Sequence, residues 1–464
     1  MPIPNNAGLS VGHNLKIALF HLGSGMADVL TTGVWNRIMV ADLGFSAAFV
    51  GLLTGLRYFL APVGVIAGRY SDTHTIGGFR RTFWIWLGRA MMALSTITLG
   101  FATAELVRRA GVEAAGPAPA AIWIALVCSF LLFSLGGAIS GSTFLALIYD
   151  RAAEHQRGRA VGLVWTFLLL GFTVGGIFFS VMLPSDESAG AIGFSADSLL
   201  TLFIVTAVAL TVIWVVSLLG EEKRASGGVV EKEEDALSLR RDLSLVWRSR
   251  QMRFFLFYLT MSMAFAFLQD TVLEPFAGQV FGIEAHVTNR FAAYWGSMAI
   301  LGSFASLFLL RRSPAFNHTN MSQAGVLILI LGNLVFAVSS LAQIRPLVTP
   351  GLILLGLGLG VWNIGTLGLM MDLSPAGRAG AFLGFWTFCV TLARGAGVAG
   401  GGIVRDWALH VSNSHHIAYG AVFCLGLLGL LASALALRQV RLRKQKGEAA
   451  SDFDISAALS HSLD

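Results

Sequence analysis

Two carboxylates, Asp270 and Glu274, stand at the end of an apolar run that covers residues 254–268. An ionisable side chain at membrane depth costs about 2.5–3.5 kcal/mol even on insertion scales, so such acids usually serve a function. Their spacing of four residues predicts one helix face and one shared polar cavity. In that cavity they suit proton coupling or contact with a polar ligand, together with the neighbouring Gln269. Pro275 lacks a backbone donor and predicts a break just after Glu274.

The first apolar run carries a second polar face, with His21 and Asp28 seven residues apart. If the two halves of the chain superimpose, Asp28 and Asp270 occupy corresponding positions. The arginines inside apolar runs are the available counter-charges. The alternative is that they form structural ion pairs or reach the membrane interface. We favour that alternative for Arg37, Arg89 and Arg290, and a functional role for the two acids near residue 270. The candidate counter-charges are Arg57, Arg89 and Arg394.

His21 also suggests metal chemistry, because a neutral imidazole in an apolar groove can ligate a metal, including the magnesium of a chlorin. The more frequent alternative is a hydrogen-bonded core histidine. No other metal site is predicted, since the cysteines (Cys128, Cys389 and Cys424) are far apart in apolar runs.

The composition predicts an all-α membrane protein. Of 464 residues, 55% are hydrophobic and 12% charged, and the mean hydropathy is +0.72. Soluble domains average about 25% charged residues. The net charge of +6 does not indicate nucleic acid, because the basic residues cluster in loops between apolar runs. No catalytic triad, soluble metal cluster or phosphate loop is recognisable, so no enzyme is predicted.

About twelve apolar runs have the length of roughly 20 residues that a bilayer requires. They predict four regions. Residues 1–220 form a six-helix half, 221–252 a solvated cytoplasmic linker, 253–440 a second six-helix half, and 441–464 a disordered cytoplasmic tail. Basic residues concentrate in alternate loops and after the last run, which places both termini in the cytoplasm. The basic C-terminal cluster, from Arg438 to Lys446, suits anionic lipid headgroups.

An internal repeat supports the division into halves. Asp150 opens a loop that ends at Arg159 and is followed by Trp165, and Asp372 opens a similar loop that ends at Arg378 and is followed by Trp386. Parallel repeats of this kind predict the major facilitator fold. A further loop resembles that superfamily's signature between its second and third helices: Gly68, Asp72, Arg80 and Arg81.

Longer motifs in both halves resemble the PucC/LhaA family, the bacteriochlorophyll delivery branch of the major facilitator superfamily. The first half carries Asn36-Arg37-Ile38-Met39-Val40-x-Asp42-Leu43-Gly44, Ser71-Asp72-Thr73-His74 and Gly78-Phe79-Arg80-Arg81. The second half carries Gln269-Asp270-x-x-Leu273-Glu274-Pro275-Phe276-x-Gly278, Met371-Asp372-Leu373, Gly377-Arg378-Ala379-Gly380 and Gly401-Gly402-x-x-Arg405-Asp406. The chain departs from the family pattern at His21, where Gln is expected, and at Phe276, where Tyr is common.

The resemblance implies an assembly factor of the bacterial inner membrane that binds or delivers (bacterio)chlorophyll as cargo. The implied partners are light-harvesting α/β polypeptides or the reaction-centre core, with pigment-biosynthesis enzymes as further candidates. Gln269, Asp270 and Glu274 would contact the pigment ring or a ligating water, and His21 would ligate its magnesium. Three alternatives remain: a proton-coupled secondary transporter, a docking partner that never touches free pigment, and a membrane subunit of a biosynthetic enzyme.

Overall fold

The computed structural model describes residues 10–110, 118–153, 156–183, 193–222, 250–312, 316–374 and 379–440. Within these residues twelve helices are long and apolar enough to cross a membrane, as predicted. In chain order, spans 1 to 6 are Val11–Asp42, Ala47–Asp72, Thr82–Ala110, Ala120–Arg151, Ala160–Met182 and Ala196–Leu218. Spans 7 to 12 are Arg250–Thr271, Ala285–Arg312, His318–Leu341, Arg345–Asp372, Phe385–Ser412 and His415–Arg438. The chain is therefore a multi-pass membrane protein.

Spans 1 and 7 are irregular where the polar residues lie. Span 1 changes to π-helical turns at Leu30–Trp35 and Ile38–Asp42. In span 7 the α-helix ends at Ala266, a 3-10 turn covers Leu268–Thr271, and a second helix covers Leu273–Phe281. Membrane proteins tolerate irregular backbone of this kind where it is buried in protein or lines a cavity.

The break in span 7 lies before Glu274, so the predicted break after this residue is wrong. Pro275 is the third residue of the second helix. The first turn of a helix has no acceptor for its N–H groups, so the missing donor costs little there. Phe276, the next residue, donates to the Val272 carbonyl at 2.8 Å, which continues the helix.

Glycine allows spans of the two halves to pack closely. Span 11 lies against span 2, where Gly402 approaches the backbone of Ala47 too closely for a side chain. Span 5 lies against span 8, where Gly176 leaves no room for a Cβ beside Ala293. Small residues permit such close approach between membrane helices. The glycine-rich character of the sequence thus serves helix packing between the halves.

The first residues of the predicted linker differ from a solvated segment. The Glu221 side chain is 1% exposed and pairs with Lys16 at 2.9 Å and Arg151 at 3.5 Å. The Glu222 carboxylate accepts the backbone N–H groups of Arg80, Arg81 and Thr82 at 2.6–3.1 Å. The first two residues of the linker are therefore bound to the first half. Residues 223–249 and the predicted disordered tail at 441–464 lie outside the described residues.

Candidate functional site

The loop motifs form a charged cluster at one end of the molecule. This end, at which the even-numbered spans finish, is called here the terminal face. Arg81 pairs with Asp72 and, at 3.1 Å, with Asp150. Arg80 lies 3.8 Å from Asp72 and 3.3 Å from Asp150, and Arg81 donates to the Gly68 carbonyl. These contacts join spans 2, 3 and 4, so they bring the first-half motif residues together.

The equivalent loop of the second half is only partly described. Asp372 lies 2.7 Å from the His318 ring, which joins spans 9 and 10. Arg378 and the side chain of Arg159 lie outside the described residues. Their predicted role in the repeat stays a prediction.

A polar cavity lies where the two halves meet. It is lined by five ionisable side chains, as follows: Asp28, Arg57, Asp270, Glu274 and Arg394. Asp270 and Glu274 thus share one cavity, as their spacing suggested, although the former lies in the 3-10 turn and the latter in the second helix of span 7. Phe172, Phe267 and Trp295 complete much of the apolar wall.

Two ion pairs neutralise most of this charge. Arg57 binds Asp28 within the first half, and Arg394 lies 3.6 Å from Asp270 within the second. Two of the three predicted counter-charges therefore take that role. Both pairs are partly accessible to the cavity, because their four side chains are 15–28% exposed.

Tyr58 connects the two pairs across the interface between spans 2 and 11. Its ring centroid is 4.8 Å from the Arg57 guanidinium carbon and 5.0 Å from that of Arg394. Arg57 also donates to the Tyr58 hydroxyl at 2.8 Å. Arg394 lies 3.9 Å from the Phe267 ring, which favours a cation over its face. The sequence offered no signal for Tyr58, because a tyrosine in an apolar run is common at membrane interfaces.

Glu274 differs from the other two acids. Within the described part of the chain, no arginine or lysine nitrogen lies within 4 Å of its carboxylate. The side chain is 5% exposed and faces the cavity beside Asp270. A buried carboxylate without a cation is costly, and such groups mark functional positions in membranes.

The cavity is small. Its volume is about 40 Å³, enough for about three water molecules at 10–15 Å³ each. Water or a small ion fits between the charged side chains. A tetrapyrrole ring does not fit in this conformation.

Gln269 is not brought into the cavity wall. It is 1% exposed and its amide nitrogen donates to the Ala266 carbonyl at 2.5 Å, across the helix break. Its amide oxygen is buried without a hydrogen-bond partner. The described position suits a residue that stabilises the break.

His21 lies away from the cavity, against spans 4 and 5. Its ring is 5.0 Å from the Phe144 ring and 6.2 Å from that of Trp165. Nδ1 is buried without a hydrogen-bond partner. Nδ1 is therefore enclosed, whereas the side chain as a whole is half-buried. Ligation by His21 stays a prediction.

Arg89 is the third arginine considered as a counter-charge, and it takes a different role. It is 6% exposed, and its guanidinium carbon lies 4.0 Å from the Phe20 ring and 4.6 Å from the Trp214 ring. No carboxylate among the described residues lies within 4 Å of it. Arg89 therefore forms no ion pair with the described residues, and the faces of the two aromatic rings contact its guanidinium group instead.

The opposite end of the molecule, called here the far face, is closed by hydrogen bonds between the halves. Asn36 donates to the Asp270 carbonyl at 3.3 Å. Arg37 pairs with Asp42 at 2.6 Å and donates to the Ile283 carbonyl at 3.0 Å, which confirms a structural role. Both belong to the first-half motif.

Asp406 adds a second link at the far face. Its carboxylate accepts from the Ser46 hydroxyl at 2.6 Å and from the Ala48 backbone at 2.9 Å. Arg405 binds Gln279, which in turn donates to the Val40 carbonyl at 2.8 Å. Arg405 and Asp406 stood in a quoted motif without an assigned role, and Gln279 carried no signal in the sequence.

Comparison with solved structures places the fold among membrane transporters. One similar structure is a bacterial homologue of the human lysosomal transporter Spinster in an inward-facing and unoccupied conformation. It is 15% identical with a TM-score of 0.63, over 93% of this chain and 96% of that one. Another is a D-xylose–proton symporter, 14% identical with a TM-score of 0.59, over 90% of this chain and 96% of that one. The fold is therefore the major facilitator fold, as predicted.

Comparison with known sequences is more specific. Protein PucC of Rhodovulum sulfidophilum is 29% identical over 403 residues, which is 86% of each chain. The "bacteriochlorophyll synthase 44.5 kDa chain" of Rhodobacter capsulatus is 28% identical over 449 residues, 92% of this chain and 95% of that one. A model of the PUCC protein family matches residues 34–445, which include every cavity acid except Asp28. The chain belongs to the PUCC protein family.

Proposed function

We propose that this chain is an assembly factor that binds or delivers (bacterio)chlorophyll to light-harvesting or reaction-centre polypeptides. The observation that carries the proposal is the family match over residues 34–445. The name of the Rhodobacter capsulatus relative, which mentions bacteriochlorophyll, supports a role near that pigment. In this proposal the protein lies in the inner membrane of a phototrophic bacterium with its terminal face toward the cytoplasm. In this role it carries pigment and performs no catalysis.

The size of the cavity restricts how a pigment could reach the acids. A cavity of about 40 Å³ holds only a few waters, so a pigment ring would require the halves to separate. Hydrogen bonds of Arg37, Gln279 and Asp406 close the far face, so the approach lies on the terminal side. His21 is seven residues closer to that side than Asp28, a rise of about 10 Å along the helix. Once the halves have separated, a pigment ring that lies near His21 would have Asp28 and Glu274 further along the same path into the protein.

The proposal predicts that Glu274 is required for assembly. In a phototrophic host whose own copy is deleted, the Glu274→Gln variant should leave light-harvesting absorption strongly reduced at normal levels of the variant protein. Glu284→Gln is the matched control, because this acid is exposed and, among the described residues, pairs with His286 near the far face. Normal light-harvesting complexes in the Glu274→Gln strain would count against a role for the cavity.

A second candidate is a proton-coupled transporter, and the cavity itself favours it. Three carboxylates, two arginines and room for about three waters suit the exchange of protons or small ions. The purified protein in vesicles loaded with a pH-sensitive dye tests this candidate. Proton entry after an external acid pulse that is lost in Asp270→Asn would support transport. If protons enter these vesicles no faster than they enter protein-free vesicles, with and without added small organic solutes, this support is removed.

A further inference from the structure

A second, larger cavity lies at the protein surface in the second half. Spans 8 and 9 both pack against span 10, and the gap between them is a groove of about 270 Å³ with Val361 of span 10 at its floor. Its walls are formed by Ala305, Ser306 and Leu309 of span 8 and by Met321, Ala324 and Ile328 of span 9. This groove shares no residue with the charged cavity between the halves.

The walls of the groove are mostly apolar and include the Phe316 ring, and the polar side chains that line it are Ser306 and Asn320. Ala305 and Ala324 are small and exposed, so they leave the gap open. The Ser306 hydroxyl donates to the Gly302 carbonyl at 2.8 Å, so it is satisfied within its own helix. An aliphatic chain fits such walls, whereas a polar ligand would lose its hydrogen bonds with water there.

Positive charge lies near the mouth of the groove. The wall residues of span 8 lie in its last two turns, and Arg311 and Arg312 end that span in exposed positions. Arg312 follows Leu309 by three residues, about 5 Å along the axis. Its guanidinium carbon lies 5.6 Å from the Phe308 ring, on the same side of the membrane as the groove. The groove thus combines an aliphatic slot with cations at the level of the lipid headgroups.

We propose that this groove binds an acyl chain of an acidic phospholipid, whose phosphate contacts Arg311 and Arg312. Basic pockets between membrane helices commonly hold acidic lipid headgroups. The isoprenoid tail of a pigment would also fit the slot, but its ring carries no anionic headgroup to match the arginines. Charge complementarity therefore favours the phospholipid. This inference goes beyond the assembly role and does not depend on it.

Native mass spectrometry of the full chain in mild detergent tests the inference, with added phosphatidylglycerol or phosphatidylcholine as probes. The wild type should retain one phosphatidylglycerol and release phosphatidylcholine. Ala324→Phe fills the slot and should abolish the adduct. Arg312→Gln should weaken binding about fivefold, the equivalent of one cation near a headgroup. Leu327→Phe, on the exposed face of the same helix, and Arg438→Gln, at the same membrane face, are controls that should bind normally.

Equal retention of the two lipids, or an adduct that survives Ala324→Phe, would overturn the inference. Displacement of the lipid by bacteriochlorophyll would also overturn it and assign the groove to the pigment tail. If the protein never carries pigment but still retains phosphatidylglycerol, only the assembly proposal is weakened. The two proposals can therefore fail separately.

Discussion

Gly278 in the second half lies directly against the guanidinium group of Arg37 in the first half. A methyl group at position 278 would overlap the guanidinium atoms. Arg37 is held there by Asp42 at 2.6 Å and by the Ile283 carbonyl at 3.0 Å. The motif that begins at Asn36 and the motif that ends at Gly278 are therefore the two sides of one contact, which closes the far face.

Gly278→Ala should destabilise the protein by about 1–3 kcal/mol, the usual range for overpacking a filled site. The measurement is the melting temperature in detergent. The loss has a specific cause, the displacement of Arg37, so the double variant with Arg37→Ala should be no less stable than Arg37→Ala alone. Additive losses in the double variant would show that the two residues act independently.

The Asp28–Arg57 pair gives a second prediction. Arg57→Gln leaves the carboxylate without its cation and should cost about 2 kcal/mol of stability. Adding Asp28→Asn removes the unpaired charge, so the double variant should recover part of the loss. Thermal unfolding of the wild type, both single variants and the double variant forms a complete cycle. A double variant that melts below Arg57→Gln would contradict the pairing.

Glu222 connects the start of the linker to the first turn of span 3. Its carboxylate accepts three backbone N–H groups, as a helix cap does. Glu222→Ala should therefore lower the free energy of unfolding by about 1–2 kcal/mol. Glu105→Ala is the matched control, since the pairs of Glu105 with Arg108 and Arg109 among the described residues are half-exposed. That control should lose less than about 1 kcal/mol, and an equal loss in the two variants would refute the cap.

Arg89 gives a prediction of opposite sign. Met is apolar and similar in length, so Arg89→Met keeps most contacts with Phe20 and Trp214. It also removes a buried charge that has no carboxylate of the described residues within 4 Å. Replacing a buried ion pair with apolar side chains is often neutral or stabilises a protein by about 1–4 kcal/mol. We expect the same sign for a single buried charge. The melting temperature should stay equal or rise. A clear fall would mean that the cation itself stabilises the first half.

The fold was predictable from the sequence because its signals are strong and local. Twelve apolar runs of membrane length and a repeated Asp-to-Trp loop suffice for two six-helix halves. The repeat predicted that Asp28 and Asp270 occupy corresponding positions, and the structure adds that both line one cavity. Their pairing with Arg57 and Arg394 was left open, both in the choice among three arginines and in the alternative that these arginines form structural ion pairs or reach the membrane interface.

The remaining features depend on packing that spacing does not encode. The i,i+4 rule assumes a continuous helix, but the backbone between Ala266 and Leu273 is irregular, so Gln269 turns away from the cavity that Asp270 faces. Tyr58 contacts Arg394 across the interface of the halves, and Gln279 contacts Arg405, which is more than 120 residues away in the chain. The rotation of each helix about its axis decides such contacts, and an apolar run that is hydrophobic on all sides does not specify it.

The most direct test of the account is an absorption spectrum of the protein purified in mild detergent from a phototrophic host. We expect a bacteriochlorophyll band that copurifies with the wild type and with Glu284→Gln, and that is lost in Glu274→Gln. A colourless wild-type protein that still retains light-harvesting polypeptides would contradict pigment handling and would identify a docking partner instead.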